Sequence, residues 1–230
     1  MIAVAGIDMA AWDALARAAG VPLCVLLGGS VGPVPAYNCD GTGLRSPAEV
    51  ASEAAELRDE GGFRGLKLRL GRERLADDLA TIEAVRDAVG SEMSLMVDFN
   101  QGLQLGEALE RCHAIDELGL AWIEEPIVYD NLEGYARLTA DLKTPIQIGE
   151  NFYGPRALYT ALQMKACDTS YRISCVLAAS LVGKEQPPSP RQRAYRSPLI
   201  SISTLSSAKC RPTRQSTWCS TTMPPTSIPG

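Results

Sequence analysis

The chain has 230 residues, of which 46% are hydrophobic, and a formal net charge of −5 at pH 7. It contains no uninterrupted stretch of about 18 apolar residues and no charged-then-apolar leader, so neither a membrane span nor a signal peptide is expected, and a cytoplasmic protein is favoured. Its seven cysteines show no CxxC or zinc-like spacing, which indicates free thiols.

The first elements predicted along the chain are a helix and, from about residue 33, short apolar strands that alternate with helices. In the first helix, Ile7, Ala11 and Leu15 recur at helical spacing, and Gly20 followed by Pro22 ends it. The strands are VPAYNC, GLKLRL, SLMVDFN, LAWIEEP and IQIGEN, and the last predicted helix is PRALYTALQMKAC. This alternation predicts an α/β fold with a parallel sheet, specifically part of a (β/α)₈ barrel, for which a complete chain usually needs about 250 residues.

Three acidic residues end the last three strands, in VDFN, WIEEP and IGEN. Asp98, Glu124 and Glu150 are spaced 26 residues apart. Carboxylates at the carboxyl ends of successive parallel strands converge above a barrel, where barrel enzymes have their active sites. Oxygen ligands without nearby His or Cys suit a hard cation, so we expect Mg²⁺, with Mn²⁺ as second choice.

The composition changes near residue 168. Residues 1–168 carry 26 acidic against 14 basic residues, whereas residues 169–230 carry one acid, Glu185, against eight basic residues. Ser, Thr and Pro occupy 27 of those last 62 positions, and the helical and strand periodicities stop there. The change predicts a boundary, with residues 169–230 as a disordered tail.

The motifs of residues 3–168 resemble the mandelate racemase / muconate lactonizing enzyme branch of the enolase superfamily. IDMAAWDALAR with PLCVLLGG resembles the end of that family's capping domain, which assigns residues 1–32 to a remnant of it and residues 33–168 to the first part of the barrel. GLKLRLG, MVDFNQ, AWIEEP and IGENFYGP resemble barrel strands two to five. On this resemblance the chain begins inside the capping domain.

The resemblance implies a reaction and a set of site residues. It implies Mg²⁺-dependent removal of the proton α to a carboxylate, giving an enediolate, in a racemase or an acid-sugar dehydratase. The substrate would be a small 2-hydroxy acid or sugar acid, with no nucleic acid or membrane partner, and full-length relatives would assemble as homo-oligomers. The implied residues are the ligands Asp98, Glu124 and Glu150, the catalytic pair Lys67 and Arg69, and Asn100 beside the substrate.

Two departures from the family pattern bear on activity. Racemising members carry lysine at both positions of the catalytic pair, whereas here the second is Arg69, a poor proton acceptor because its pKa is above about 12; this disfavours two-base racemisation and favours dehydration. The single histidine, His113, lies on a predicted helix between strands and is expected to be a partly exposed residue without a catalytic role.

The tail starts where the sixth strand should run, which suggests a frameshift near residues 168–170. With suitable synonymous codons, YRISCVLAAS at 171–180 reads two bases later as PDFMRIGGV, which resembles the family's sixth-strand motif, and YRSPLISI at 195–202 permits PISTHLY, which resembles the strand carrying its catalytic His. A barrel lacking three βα units leaves sheet edges unpaired. We therefore expect marginal folding, weak Mg²⁺ binding and no turnover.

Two other interpretations remain open. The chain could be a non-catalytic protein that keeps the metal trio as a structural site. Alternatively, it could be an acidic domain with a basic arm that binds nucleic acid or an acidic partner, although eight basic residues without a dense cluster or interleaved aromatics give little support.

The frameshift hypothesis predicts the result of resequencing the source DNA across the codons of Ala161 to Ser207. One missing or extra base should restore a frame that encodes PDFMRIGG and STHLY in that order. DNA that reads as the present sequence without a change would rule the hypothesis out.

Overall fold

The computed structural model of the protein describes residues 2–32, 36–39, 42–170 and 200–202. In that part of the chain, no helix combines the length and the apolar character needed to cross a membrane. The four cysteines found there, Cys24, Cys39, Cys112 and Cys167, are free thiols, as predicted.

The described strands form one parallel sheet. Its order is β6-β5-β4-β3-β2-β1-β7, so β1 to β6 are neighbours in sequence order and β7 pairs with the outer edge of β1. The five predicted strands and the parallel α/β class are confirmed. The strands are β1 (Ala36–Asn38), β2 (Gly65–Arg69), β3 (Ser94–Asp98), β4 (Leu120–Glu124), β5 (Ile146–Ile148), β6 (Thr169–Ser170) and β7 (Ile200–Ile202).

Helices connect the strands from β1 to β6, as a parallel sheet requires. The first predicted helix is present as α1, and a short helix, α2, which the sequence analysis did not predict, follows it in the PLCVLLGG segment. The helices are α1 (Ile2–Ala18), α2 (Leu23–Leu26), α3 (Pro47–Gly61), α4 (Leu75–Val89), α5 (Leu105–Ile115), α6 (Leu132–Asp141) and α7 (Pro155–Gln163).

Local sequence signals account for the ends of α3. The Ser46 hydroxyl accepts a hydrogen bond from the Glu49 amide, and the Glu49 side chain accepts one from the Ser46 amide, which together form a capping box. At the other end Gly62 has φ 64°, a left-handed conformation that glycine adopts at little cost. Both ends of α3 therefore follow from local sequence signals.

The two short strands β6 and β7 lie in the segment that was expected to be disordered. They pair with β5 and β1 respectively and satisfy backbone groups at the two edges of the sheet. For these five residues the expectation of disorder is not met. Residues 171–199 and 203–230, on which most of that prediction and the frameshift hypothesis bear, lie outside the described residues.

The sheet has an apolar outer face and a mixed inner face. Side chains of β2, β3 and β5 alternate, so that Leu66, Leu95 and Ile146 pack with the helices in the main core. A smaller cluster lies on the inner face and consists of Tyr37, Met96 and Trp122, with the rings of Tyr37 and Trp122 in edge contact at 5.4 Å between centroids.

A bulge in β4 changes which of its side chains face inward. Leu95 of β3 lies opposite Leu120, whereas Val97, two residues later, lies opposite Ile123, three residues later, so β4 contains one extra residue. Leu120 and Ile123 both join the helix-facing core. Because of the bulge, Glu124 ends β4 directly opposite Asp98 of β3.

A buried ion-pair network, centred on Asp78, holds the loop that follows β2. The Asp78 carboxylate, 1% exposed, accepts hydrogen bonds from the amides of Gly71 and Arg72 and from the guanidinium groups of Arg72 (3.2 Å) and Arg111 (2.9 Å). Arg72 also donates to the carbonyl of Arg45, in the loop between β1 and α3. The network therefore ties together two loops at the carboxyl end of the sheet.

Replacing Asp78 by Asn should destabilise the protein strongly. The change removes the carboxylate that pairs with the buried Arg72 guanidinium and leaves Arg111 paired with Glu107 alone. Breaking a buried pair in this way costs about 3–5 kcal/mol, a large share of a net stability of about 5–15 kcal/mol. Urea unfolding measures the effect. Asp77→Asn is the matched control, because Asp77 pairs with Arg74 on the exposed side of the same helix turn; equal midpoints for the two variants would contradict the prediction.

Candidate metal centre

Two of the three predicted metal ligands share one cation in this structure. The Lys67 ammonium of β2 donates to Asp98 Oδ2 at 2.7 Å and to Glu124 Oε1 at 2.9 Å. Both carboxylates are buried, since the Asp98 and Glu124 residues are 2% and 0% exposed. Lys67 therefore compensates two carboxylates that would otherwise repel each other without solvent screening.

The second oxygen of each carboxylate also has a donor. Asp98 Oδ1 accepts from the Asn100 amide at 2.8 Å, and Glu124 Oε2 accepts from the Trp122 indole nitrogen at 3.3 Å. Both carboxylates are thus oriented from two sides, one by Lys67 and one by a donor of their own strand segment. Such outer partners restrict a ligand to one orientation.

The charges in the site shift the pKa values of its members. Burial alone would lower the pKa of the Lys67 ammonium, but Glu124 and Asp98 outweigh it and hold the pKa above its usual range. Burial and the nearby Asp98 charge raise the pKa of Glu124 to about 8, against the opposing effect of Lys67. Glu124 is therefore more easily charged with a cation close by.

The remaining predicted site residues surround this cluster. Glu150 follows β5 and is partly exposed, and burial together with the Asp98 charge raises its pKa, while Lys67 and Arg69 act in the opposite direction. Arg69 is exposed at the end of β2, opposite Asp98 in the sheet. Asn100 is partly buried, and its Oδ1 has no hydrogen-bond partner among the described residues.

The described residues contain no group of three or more His, Cys, Asp or Glu side chains arranged as a ready-made metal site. Asp98, Glu124 and Glu150 therefore do not converge as closely as metal ligands must, and the assignment of all three as ligands stays a prediction. Asp98 and Glu124 are close to each other through the Lys67 ammonium that both accept from, whereas no such contact joins Glu150 to them among the described residues.

Unusual backbone conformations occur beside the site. Asn100, Gln101 and Glu125 have φ values of 44°, 62° and 36°, in the left-handed region that residues other than glycine rarely adopt. Glu125 directly follows β4, and Asn100 and Gln101 are the second and third residues after β3. Strain of this kind is held in place by the surrounding structure and concentrates at functional sites.

Three side chains that were not predicted as site residues also contact the site: Trp122, Glu125 and Asn151. Trp122 contacts Glu124, and Glu125 is 0% exposed and accepts from Asn151 Nδ2 at 2.8 Å. Burial and the Glu150 charge raise the pKa of Glu125 to about 7. The sequence features that could have pointed to Glu125 and Asn151 are the second glutamate of WIEEP and the asparagine of IGEN. His113, as expected, is exposed on α5.

The chemistry of the three predicted ligands suits a divalent cation. The donor set of Asp98, Glu124 and Glu150 consists only of carboxylate oxygens, which Mg²⁺ prefers. The Lys67 ammonium occupies the position of a cation between the first two of them. This arrangement already attracts positive charge at the carboxyl end of the sheet.

Sequence comparison assigns the chain to a family. Residues 49–170 match the profile described as enolase C-terminal domain-like, and residues 1–28 match that of the mandelate racemase / muconate lactonizing enzyme N-terminal domain. The chain belongs to the mandelate racemase / muconate lactonizing enzyme family of the enolase superfamily. This confirms the predicted resemblance, and the partial barrel with it.

The curated relatives are longer than this chain. The chain is 39% identical over 148 residues to L-talarate/galactarate dehydratase of Salmonella typhimurium, which covers 64% of this chain and 37% of the relative. It is 35% identical to D-galactarolactone cycloisomerase of Agrobacterium fabrum, over 73% of this chain and 45% of the relative. The chain spans about half or less of the length of these curated relatives.

Solved structures give the same result. An enolase from the alphaproteobacterium bal199 with bound Mg is 58% identical, with a TM-score of 0.78, over 80% of this chain and 52% of that one. An L-talarate dehydratase from Polaromonas sp. JS666, complexed with Mg and L-glucarate, is 30% identical with a TM-score of 0.73, over 80% and 51% of the two chains. The structural relatives thus bind Mg²⁺, as predicted for this family.

Replacing Lys67 by Met should strengthen Mg²⁺ binding and weaken the protein without the metal. Loss of the ammonium removes a charge that competes with the cation, so affinity should rise about tenfold or more, while unpaired buried carboxylates should cost about 3–5 kcal/mol in EDTA. Calorimetric Mg²⁺ titration and urea unfolding measure the two effects. Lys143→Met, at an exposed ion pair with Glu117, is the control; an Mg²⁺ affinity that falls in Lys67→Met would contradict the prediction.

Proposed function

We propose that residues 67–150 carry the metal-binding part of an active site for Mg²⁺-dependent removal of the proton α to a carboxylate. The observation that carries this proposal is the buried Lys67–Asp98–Glu124 cluster at the carboxyl ends of successive parallel strands. Active sites of barrel enzymes lie at that end. Because the chain spans about half of its relatives, the activity of the whole protein is part of the proposal.

The proposed metal ligands are Asp98, Glu124 and Glu150. When bound, Mg²⁺ would supply positive charge to stabilise the enediolate that forms as the α-proton leaves, which is usually a large catalytic term. The Asp98 and Glu124 side chains are almost completely buried, so the cation would lie in surroundings of low polarity. In such surroundings fixed charges interact more strongly than in water.

Two cationic side chains are proposed to act on the substrate. Lys67 reaches the cluster from β2 and, released from its carboxylate partners, can polarise the substrate carboxylate or accept the α-proton. Arg69 lies on the same face of β2, two residues further toward its exposed end, and is placed to clamp an anionic group. Asn100 has an unpaired side-chain oxygen beside the cluster and is proposed to accept a hydroxyl hydrogen bond from the substrate.

A sugar acid is the proposed substrate class, and dehydration is favoured over racemisation. An arginine at the second position cannot exchange protons near neutral pH, so a mechanism with a base on each side of the α-carbon lacks support from this residue. The dehydratase and cycloisomerase names of the relatives agree with this choice, since both act on sugar acids or their lactones. Racemisation of a small 2-hydroxy acid is the alternative.

A non-catalytic metal-binding protein is the second candidate function. The observation that favours it is the position of the one histidine of the chain, His113, which is exposed on α5 and does not face the cluster. Without an imidazole at the site, the return of a proton to the enediolate has no evident donor among the described residues. We therefore expect the present chain to bind Mg²⁺ without turnover.

The proposed function predicts Mg²⁺ binding that depends on the ligand trio. Calorimetric titration of the chain should detect binding, and Asp98→Asn and Glu150→Gln should each weaken it by about 100-fold or more, beyond the ~10–100-fold seen for residues that only support ligands. Glu133→Gln, an exposed acid on α6, should leave binding unchanged. Equal Mg²⁺ affinity of wild type and all three variants would contradict the proposed metal centre.

The same samples distinguish the two candidate functions. Galactarate should bind only when Mg²⁺ is present if the site is built for sugar acids, and should not bind with or without Mg²⁺ if the metal is purely structural. Incubation in heavy water followed by NMR tests turnover. Exchange of the α-proton of galactarate would contradict our expectation that the present chain is inactive.

A further inference from the structure

A buried carboxylate next to the proposed ligands has no part in the function described so far. Glu125 directly follows Glu124 and is 0% exposed. Its Oε2 accepts a hydrogen bond from Asn151. Its Oε1 has no partner with full hydrogen-bond geometry among the described residues, and the Gly149 amide lies near the carboxylate. Buried polar atoms almost always have a partner, and an unpaired one is costly enough to require an explanation.

Glu125 connects the segments that carry all three proposed ligands. Its amide donates to the Gln147 carbonyl of β5 at 3.1 Å, and its carbonyl accepts from the Gln101 amide, beyond β3, at 2.6 Å. Its side chain holds Asn151, the residue after Glu150, at 2.8 Å. One residue thus links the ends of β3, β4 and β5.

The backbone at Glu125 is held in an unfavourable conformation. Its φ of 36° is in the left-handed region, which costs a residue with a side chain free energy that other contacts must offset. A residue that served only to continue the chain could be glycine here. The conformation instead brings a charged side chain into the interior, between the segments that follow β4 and β5.

We propose that Glu125 is a positioning residue of the metal centre: Oε2 fixes Asn151 and with it Glu150, and Oε1 accepts a hydrogen bond from a water molecule of the bound cation. Mg²⁺ in proteins usually retains several waters, and these need acceptors. The inference rests on the proposed function, because it assumes that a divalent cation binds at Asp98, Glu124 and Glu150.

This role makes a prediction that a purely structural role does not. Glutamine in place of Glu125 keeps an oxygen for Asn151 but removes the acceptor at the second position and the buried charge. In EDTA, Glu125→Gln should unfold at the same or a higher urea concentration than wild type, because an uncompensated buried charge is gone. Its Mg²⁺ affinity should nevertheless fall about tenfold or more.

The test combines calorimetric Mg²⁺ titration, urea unfolding in EDTA and the electron paramagnetic resonance spectrum of bound Mn²⁺. Asn151→Ala should also weaken Mg²⁺, and the double variant should lose less than the sum of the two single losses, because the two residues act as one unit. The Mn²⁺ spectrum should change in Glu125→Gln. Glu133→Gln controls for the change in net charge.

The outcomes separate this inference from the proposed function. If wild type binds Mg²⁺ and Glu125→Gln binds it equally well with an unchanged Mn²⁺ spectrum, Glu125 has no role at the metal and only this inference fails. The same holds if Glu125→Gln loses stability in EDTA and keeps its affinity. If wild type binds no Mg²⁺, the proposed function fails first, and this inference with it.

Discussion

Two buried carboxylates on adjacent strands cannot remain charged without a cation, and much of the site depends on this constraint. Asp98 and Glu124 lie opposite each other at the ends of β3 and β4, and Lys67 neutralises both from β2. The raised pKa of Glu124 reflects the free-energy cost of a charged carboxylate that is buried beside a second one. A divalent cation would stabilise the two carboxylates more than an ammonium does, since it brings twice the charge and can bind several oxygens at once.

The rest of the fold keeps this arrangement in place. Parallel strands connected by helices put every carboxyl end on one side of the sheet, and the apolar outer face holds the strands against the helices. The Asp78 network secures the loops that follow β1 and β2, close to Lys67 and Arg69. Glu125 links the ends of β3, β4 and β5. Positioning is therefore divided between two polar networks, one for the cationic side of the site and one for its acidic side.

The sequence was sufficient for α1, for the strands β1 to β5 and for the side of the sheet on which the proposed site lies, because these follow from local patterns. The short elements α2, β6 and β7 were not predicted. Apolar runs of strand length alternate with helical periods, and three such runs end in a carboxylate. The contacts of Lys67 could not be predicted, since reaching from β2 to Glu124 of β4 depends on how the strands lie relative to one another. Glu125 was overlooked because its importance comes from contacts with three distant segments.

The bulge in β4 separates two tasks that a regular strand would have to combine. In a regular strand, the side chains that pack on the helices and those that face inward follow one strict alternation. With Leu120 toward the helices, that alternation would also direct Glu124 toward the helices. The extra residue between Leu120 and Ile123 resets that alternation halfway. The packing of the first half of β4 on its helices is consequently independent of the orientation of Glu124, so a substitution at Leu120 should affect stability more than the geometry of the site.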